Sequence, residues 1–198
     1  MQKKKKSQLA LAARDRLLVR FSSALERGAV NGYVLDIGPQ FFLLALVSDG
    51  VRFNGFQCFR LSDVRKLRVP EKYALFREAV LKKRGERIPK SPPVVVSSIE
   101  ELLLTANRAF PLVTIHREKV DGGAWIGRVI DVGKGRVTLL EIGADATWDD
   151  RLEAYRLSEI TRVDFGGEYE DALQLIGASG YKRALRLIRA PSKPRKVR

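Results

Sequence analysis

Short runs of apolar and β-branched residues, separated by glycine, proline and charged residues, recur along this chain of 198 residues. Runs of this length and composition are typical of β-strands. In the first half they predict strands at 17–25, 32–37, 41–47, 53–61 and 66–69. In the second half they predict strands at 112–119, 125–132, 136–142, 152–157 and 162–165. The pattern therefore predicts a mainly β protein.

Helical spacing of apolar residues follows each group of strands. Residues 71–84 place Tyr73, Phe76 and Val80 on one stripe, and 167–176 begins with acidic residues that favour a helix start. A third helix of about ten residues is predicted after Ser98, because Glu101 follows it at capping-box spacing. Residues 7–16 are predicted to play the same part for the first half.

The two halves also match each other in sequence. The matched blocks are 18–21 with 112–115, 32–38 with 127–133, 60–64 with 156–160, and Tyr73 with Tyr169. Their displacement changes only from 94 to 96 residues along the chain. Hydrophobic patterning alone does not require the shared Gly, Asp, Arg and Ser positions, so the matches predict a tandem duplication.

Each copy has five short strands, with a single helical turn predicted before the last one at 61–64 or 157–160. That order is typical of an SH3-like barrel. We therefore predict a mainly β fold with appended helices (β+α), built from two tandem five-stranded barrels.

Proline and charge mark the predicted boundaries between the parts. Residues 1–84 form a basic N-terminal tail and the first barrel with its C-terminal helix, and 85–98 form an extended linker rich in proline. Residues 99–180 form the second barrel with flanking helices, and 181–198 form a basic C-terminal tail.

The block from Gly32 to Leu44, in which Gln40 follows Asp36 by four positions, resembles the first half of the Sm-like fold. In that family an acidic residue and an amide at this spacing line an RNA pocket, so the resemblance implies this role for Asp36 and Gln40. The second copy has Gly135 in place of Gln40, and neither copy has the Arg-Gly pair of the family's second half. The second half of the chain also resembles an uncharacterised bacterial domain, which implies no activity.

Several functional classes are excluded by composition. The single cysteine, Cys58, and single histidine, His116, cannot build a disulfide framework or a Cys/His metal cage. No phosphate loop or nucleophile elbow is present. The longest apolar run, 41–47, is too short to span a bilayer. The apolar stretch near the start is short and is interrupted by Arg14 and Asp15, which disfavours a signal peptide. We predict a cytoplasmic, non-enzymatic protein without cofactor or metal.

Positive charge is concentrated at the two ends of the chain. Residues 1–20 hold seven Lys or Arg and one acid, and 181–198 hold eight and none, which accounts for the net charge of +14. Between them, 21–95 carry +6 and 96–180 carry −6. Lys and Arg contact phosphates without reading sequence. The predicted nucleic-acid-binding residues are Lys3, Lys4, Lys5, Lys6, Lys182, Arg183, Arg186, Arg189, Lys193, Arg195, Lys196 and Arg198.

Other polar residues have alternative interpretations. His116 is either a solvated surface group or part of a small polar site with Trp148, Asp149 and Asp150. The repeated acids beside turn glycines, Asp36 and Asp131, are predicted to bond nearby amides. The repeated arginines, Arg60 and Arg156, either pair with a carboxylate within each copy, which we predict, or present a positive charge to a ligand.

The function predicted from these patterns is a binding module for RNA or another polyanion. Two other uses of the basic ends stay open, namely contact with an anionic membrane surface and simple solubility. The alternative function, of a different class, is a protein–protein interaction or scaffolding module with no nucleic-acid role. Its partner would contact the acidic second copy.

Overall fold

The computed structural model describes residues 2–23 and 28–189. The helices are α1 (Gln2–Asp15), α2 (Ala74–Lys83), α3 (Ile99–Ala109), α4 (Glu168–Gly177) and α5 (Tyr181–Arg189). The strands of the first half are β1 (Leu18–Ser23), β2 (Val30–Ile37), β3 (Phe41–Val47), β4 (Phe53–Arg60) and β5 (Val64–Arg68). Those of the second half are β6 (Val113–His116), β7 (Ala124–Gly133), β8 (Arg136–Ile142), β9 (Trp148–Arg156) and β10 (Arg162–Phe165). A single 3-10 turn lies before β5 and before β10, at Leu61–Asp63 and Leu157–Glu159.

All ten strands form one antiparallel sheet, in the order β5-β1-β2-β3-β4-β10-β6-β7-β8-β9. The strand order of the first five positions is the same as that of the last five. This confirms the predicted mainly β fold with helices. The structure does not confirm two separate barrels, because β4 pairs with β10 of the other half and the sheet stays open.

β2 pairs with β3 in the same register as β7 with β8, whereas β1–β5 contains a register shift between Arg20 and Ser22 that β6–β10 lacks. Gly32 lies opposite Leu46 and Gly127 opposite Glu141, and a bulge interrupts each pair of strands just before the repeated aspartate. A Cβ atom at Gly32 would lie 2.4 Å from the carbonyl oxygen of Ala45, and one at Gly127 would lie 2.2 Å from that of Leu140. Both positions therefore require glycine for the same reason.

The largest hydrophobic cluster contains residues of both halves. Phe41 and Leu43 of β3 belong to it together with Leu102 and Leu103 of α3, and all four side chains are fully buried. The predicted linker also contributes, because Val94 and Val96 are buried in the same cluster. The two halves consequently share a core.

Ser98 is the N-cap of α3, as the sequence predicts. Its hydroxyl accepts a hydrogen bond from the Glu101 amide at 3.2 Å, which satisfies one of the free donors at the helix start. The Glu101 carboxylate accepts from the Ser97 hydroxyl instead of reaching back to the Ser98 amide.

Two helices differ from their predicted form. α1 begins at Gln2 instead of residue 7, so the N-terminal lysines lie within a helix. α2 packs through Ala74 and Leu81, whereas Tyr73 and Phe76 of the predicted apolar stripe are 55% and 64% exposed. Of the predicted stripe, only Val80 packs against the cluster that contains Ala74 and Leu81, because the buried face of α2 is centred on these residues. None of the helices within the described residues is long and apolar enough to cross a membrane.

Candidate nucleic-acid interface

The four N-terminal lysines lie in the first turns of α1, which is held on the sheet by Leu9 and Ala12. Both of these apolar side chains are fully buried in the first-half core. Lys5 Nζ donates to the Val64 carbonyl at 2.6 Å, and Lys6 Nζ donates to the Gly38 carbonyl at 2.9 Å. The side chains of Lys3 and Lys4 are exposed. The lysines are therefore held on the folded surface.

Two cationic groups converge on one backbone oxygen at the start of β5. Arg65 Nη1 donates to the Val64 carbonyl at 3.0 Å, the same oxygen that accepts from Lys5. Within residues 2–23 and 28–189, no carboxylate forms an ion pair with either cation. We call the set Lys3 to Lys6 with Arg65 the α1–β5 cluster. It is a concentration of positive charge in which, among the described residues, no cation forms an ion pair with a carboxylate.

The position of this cluster on α1 adds to its preference for anions. The positive end of a helix dipole favours acidic side chains in the first turn, and α1 has none there. Instead, its first turn carries lysines, whose mutual repulsion adds to that of the dipole. A bound anion would relieve both unfavourable contributions.

The C-terminal basic residues begin on α5, which packs on β9. Ala184 is buried, and Leu185 and Ile188 pack against the same cluster, which includes Trp148. The Tyr181 ring lies 5.1 Å from that of Trp148. This packing holds 181–189, the start of the predicted basic tail, on the body of the protein.

The charged face of α5 points away from this core. Lys182, Arg183 and Arg186 are exposed, while Arg189 ends the helix. The remaining predicted contacts lie outside the described residues: Lys193, Arg195, Lys196 and Arg198. Since α1 packs near β2 and α5 packs on β9, the two basic groups occupy different ends of the ten-stranded sheet.

A groove of about 480 Å³ lies where the two halves meet. Gln40 and Arg60 of the first half line it together with Gly135 and Ser158 of the second. Gln40, implied as a pocket residue by the Sm-like resemblance, therefore lines a cavity, whereas Asp36 does not.

Arg60 is committed to the polypeptide backbone. Its Nε donates to the Ile160 carbonyl at 2.7 Å, and its guanidinium also reaches the Leu157 carbonyl. Burial lowers the pKa of Arg60. The prediction that it pairs with a carboxylate is wrong, because the junction with the second half offers it carbonyl acceptors. Arg156 does pair as predicted, with Glu159 at 3.8 Å.

The repeated aspartates are exposed and make few contacts. Asp36 Oδ1 accepts from the adjacent Ile37 amide at 2.7 Å, as predicted for a turn acid. Among the described residues, Asp131 makes no side-chain hydrogen bond. The turn-stabilising role is therefore small in the first copy and missing from the second.

We expect Asp36→Ala to change the free energy of unfolding by less than about 0.5 kcal/mol, because the carboxylate is exposed. RNA affinity should be unchanged, since the side chain lies outside the groove. Denaturant unfolding and RNA titration of Asp36→Ala, with Asp131→Ala as the matched control, measure both. Loss of RNA binding at unchanged stability would instead support the pocket role implied by the Sm-like resemblance.

His116 lies in a polar network at the junction of the halves, away from Trp148. Its Nε2 is 2.9 Å from Asp164 Oδ2, and Arg162 Nη2 is 3.1 Å from each ring nitrogen. Gln57 of β4 donates to the same Asp164 oxygen at 3.1 Å. The proposed site with Asp149 and Asp150 is wrong, because β10 lies next to β6 and supplies the partners of His116.

Comparison with known proteins gives no match. No family model, characterised protein sequence or solved structure resembles the chain significantly. The assignment of a function therefore depends on the geometry of the chain itself.

That geometry offers little for chemistry at the single cysteine. Cys58 is fully buried, and burial raises the pKa of its thiol well above the usual value. The thiol is consequently protonated and inaccessible at neutral pH. Among the described residues, no cluster of His, Cys, Asp and Glu is suited to hold a metal ion.

Two surface features were not predicted from the sequence. Arg65 was not selected because its importance depends on Lys5, which is 60 positions away in the sequence and reaches the same carbonyl. The pattern placed Tyr73 and Phe76 on an apolar stripe of α2, and both are exposed in the structure. The excess of basic residues in 21–95 was the one sequence signal that pointed to this region.

Proposed function

We propose that this chain is a non-enzymatic binding protein for RNA or another polyanion, with the α1–β5 cluster as its main contact. The proposal rests on one observation above all: Lys5 and Arg65 share the Val64 carbonyl, with no carboxylate paired to either among the described residues. Each cation that contacts a phosphate releases a condensed counterion, which favours binding at low salt.

The arrangement of charge favours a polymer as the ligand. The second basic group, on α5, lies at the other end of the sheet. Ten strands spaced by about 4.8 Å span at most about 43 Å, with β5 on one edge and β9 on the other. A chain molecule can contact both groups at once, and the second contact then benefits from a high effective concentration.

We further propose that the two halves are a tandem duplication of one Sm-like unit. The common strand order, register and bulges support this. A shared loop contact also supports it: the Leu61 amide donates to the Gln40 carbonyl at 2.8 Å, and the Leu157 amide to the Gly135 carbonyl at 2.9 Å. These residues are equivalent in the two copies.

Charge removal tests the proposed contact. We expect Lys3→Gln with Lys4→Gln to weaken binding to single-stranded RNA and to reduce the slope of log affinity against log salt by about 1.4, at about 0.7 per lost contact. The matched control is Lys82→Gln with Lys83→Gln, which removes the same charge from exposed positions on α2. Fluorescence anisotropy over a series of salt concentrations measures both slopes.

Equal losses in the two double variants would show a response to net charge alone and would contradict a specific role for the α1–β5 cluster. Duplex DNA and a non-nucleic polyanion, titrated in parallel, distinguish RNA from other members of this ligand class.

Protein–protein interaction is the second candidate, favoured by an exposed apolar surface on α2. Leu75 and Phe76 are 85% and 64% exposed and lie next to Tyr73. Adjacent exposed apolar side chains of this size are typical of contact sites. If scaffolding were the function, loss of the basic cluster would leave partner binding unchanged.

A further inference from the structure

The two edge strands of the sheet, β5 and β9, are the repeat equivalents of β10 and β4, the two strands that join its halves. Inside the chain, β4 pairs with β10. In the repeated strand order, β9 is the equivalent of β4, and β5 is the equivalent of β10. β9 and β5 lie at opposite ends of the sheet, and each pairs with only one strand among those described. The molecule thus carries unpaired counterparts of its own internal junction.

The internal register predicts which residues would meet if these edges paired. Within the chain the opposed residues are Phe56 with Phe165, Gln57 with Asp164, Cys58 with Val163, and Phe59 with Arg162. Arg60 and Arg156 are related by a displacement of 96 residues. Adding 96 to each residue number of β4 and subtracting 96 from each residue number of β10 gives the counterparts. The resulting pairs are Leu152 with Val69, Glu153 with Arg68, Ala154 with Leu67, and Tyr155 with Lys66.

The chemical class of each pair is retained. The stacked rings of Phe56 and Phe165 become an aliphatic pair, and the contact of Cys58 with Val163 stays apolar. The Arg162 guanidinium lies 5.6 Å from the Phe59 ring, and this cation–aromatic pair is again a cation and an aromatic residue in Lys66 and Tyr155.

The polar pair becomes an ion pair. The hydrogen bond from Gln57 to Asp164 is replaced by opposite charges, Glu153 on β9 and Arg68 on β5. Opposite charges directly across two strands are stabilising, and like charges are not. Residues 21–95, which include β5, carry +6, and residues 96–180, which include β9, carry −6, while the basic helix α5 packs on another part of β9.

Both edges are accessible over the residues concerned. Arg68 and Lys66 are exposed, as are Leu152 and Ala154. Glu153 is partly buried and pairs with Arg151 of its own strand at 2.8 Å, so the proposed contact with Arg68 adds a second cation to this carboxylate. α5 covers a different part of β9, since Trp148 and Asp149 line the groove beneath it. α5 therefore leaves 152–154 uncovered, and Tyr155 beside them is buried with its hydroxyl bonded to Glu141.

We propose that copies of this chain associate head to tail, with β9 of one copy pairing with β5 of the next as β4 pairs with β10 within the chain. The interface joins two different surfaces, so each added copy presents a new free edge. Such heterologous contacts build rings if the rotation closes and filaments if it does not. This inference is independent of nucleic-acid binding.

A charge swap tests the pairing. Glu153→Arg and Arg68→Glu each place like charges across the proposed interface, whereas the double variant restores an attractive pair between copies. Light scattering coupled to size exclusion should show wild-type mass rising above 22.3 kDa with concentration. Each single variant should raise the dissociation constant at least about tenfold, and the double variant should recover most of that loss.

Matched controls are Asp150→Arg, on β9 but outside the paired stretch, and Lys82→Glu on α2. Both should retain wild-type association, and circular dichroism should show that every variant is folded. A wild-type protein that stays monomeric at all concentrations would overturn the proposal. So would single variants that associate like wild type, or a double variant no better than the singles.

Discussion

Replacing Gly38 by alanine should destabilise the protein by about 3 kcal/mol, because there is no room for a methyl group between two backbone segments. A Cβ atom there would lie 1.8 Å from the Val96 carbonyl oxygen and 2.7 Å from its carbon. Both atoms belong to the backbone, so the clash is relieved only if the β2–β3 turn or the linker at 85–98 moves. Movement of the turn would strain the hydrogen bond from Gly38 to the Phe41 carbonyl and the contact of Lys6 with Gly38.

The second copy supplies the control for this substitution. At Gly133, the equivalent glycine, the nearest atom to an added Cβ would be Asp131 Oδ2 at 3.8 Å, an ordinary contact distance. We expect Gly133→Ala to change stability by less than about 0.5 kcal/mol. Urea unfolding of both variants gives the comparison. An equal decrease in the free energy of unfolding for the two variants would contradict the packing of the linker at 85–98 against the first copy alone.

Deleting residues 181–198 should lower stability by about 3 to 5 kcal/mol, because it removes α5 from a formed core. Ala184 is buried there, and Tyr181 contacts both the Trp148 ring and the Arg128 guanidinium. Deleting 191–198 removes four basic residues and leaves α5 in place. That shorter deletion should weaken polyanion binding without a comparable loss of stability.

The longer deletion consequently does not separate charge from folding. Lys182→Gln, Arg183→Gln and Arg186→Gln together remove the exposed charge of α5 and keep its buried face. We expect this triple variant to bind RNA less tightly and to unfold at the wild-type urea concentration. An 181–198 deletion as stable as wild type would contradict the docked position of α5.

Local features of the fold were predictable from the sequence. The strands, the two 3-10 turns and the Ser98 cap depend on alternation and on residues within a few positions of one another. The glycines shared by the two copies were also informative, since Gly32 and Gly127 meet the same steric requirement.

The remaining features depend on contacts that sequence patterns do not specify. Pairing of β4 with β10 decides that the sheet is continuous, and pairing of β6 with β10 supplies the partners of His116. Arg60 reaches carbonyls 97 and 100 residues away. The predicted sites include the N-terminal lysines, but the convergence of Lys5 with Arg65 depends on the packed position of α1.

The salt dependence of RNA binding by the full-length protein tests the central claim most directly. If five phosphates of a single strand are contacted, the plot of log affinity against log salt concentration should have a slope of about −3.5. Anisotropy titrations from low to physiological salt measure this slope. Tight binding at low salt that weakens along such a line is the expected result. Absence of binding at low salt, or an affinity independent of salt, would contradict the proposed function.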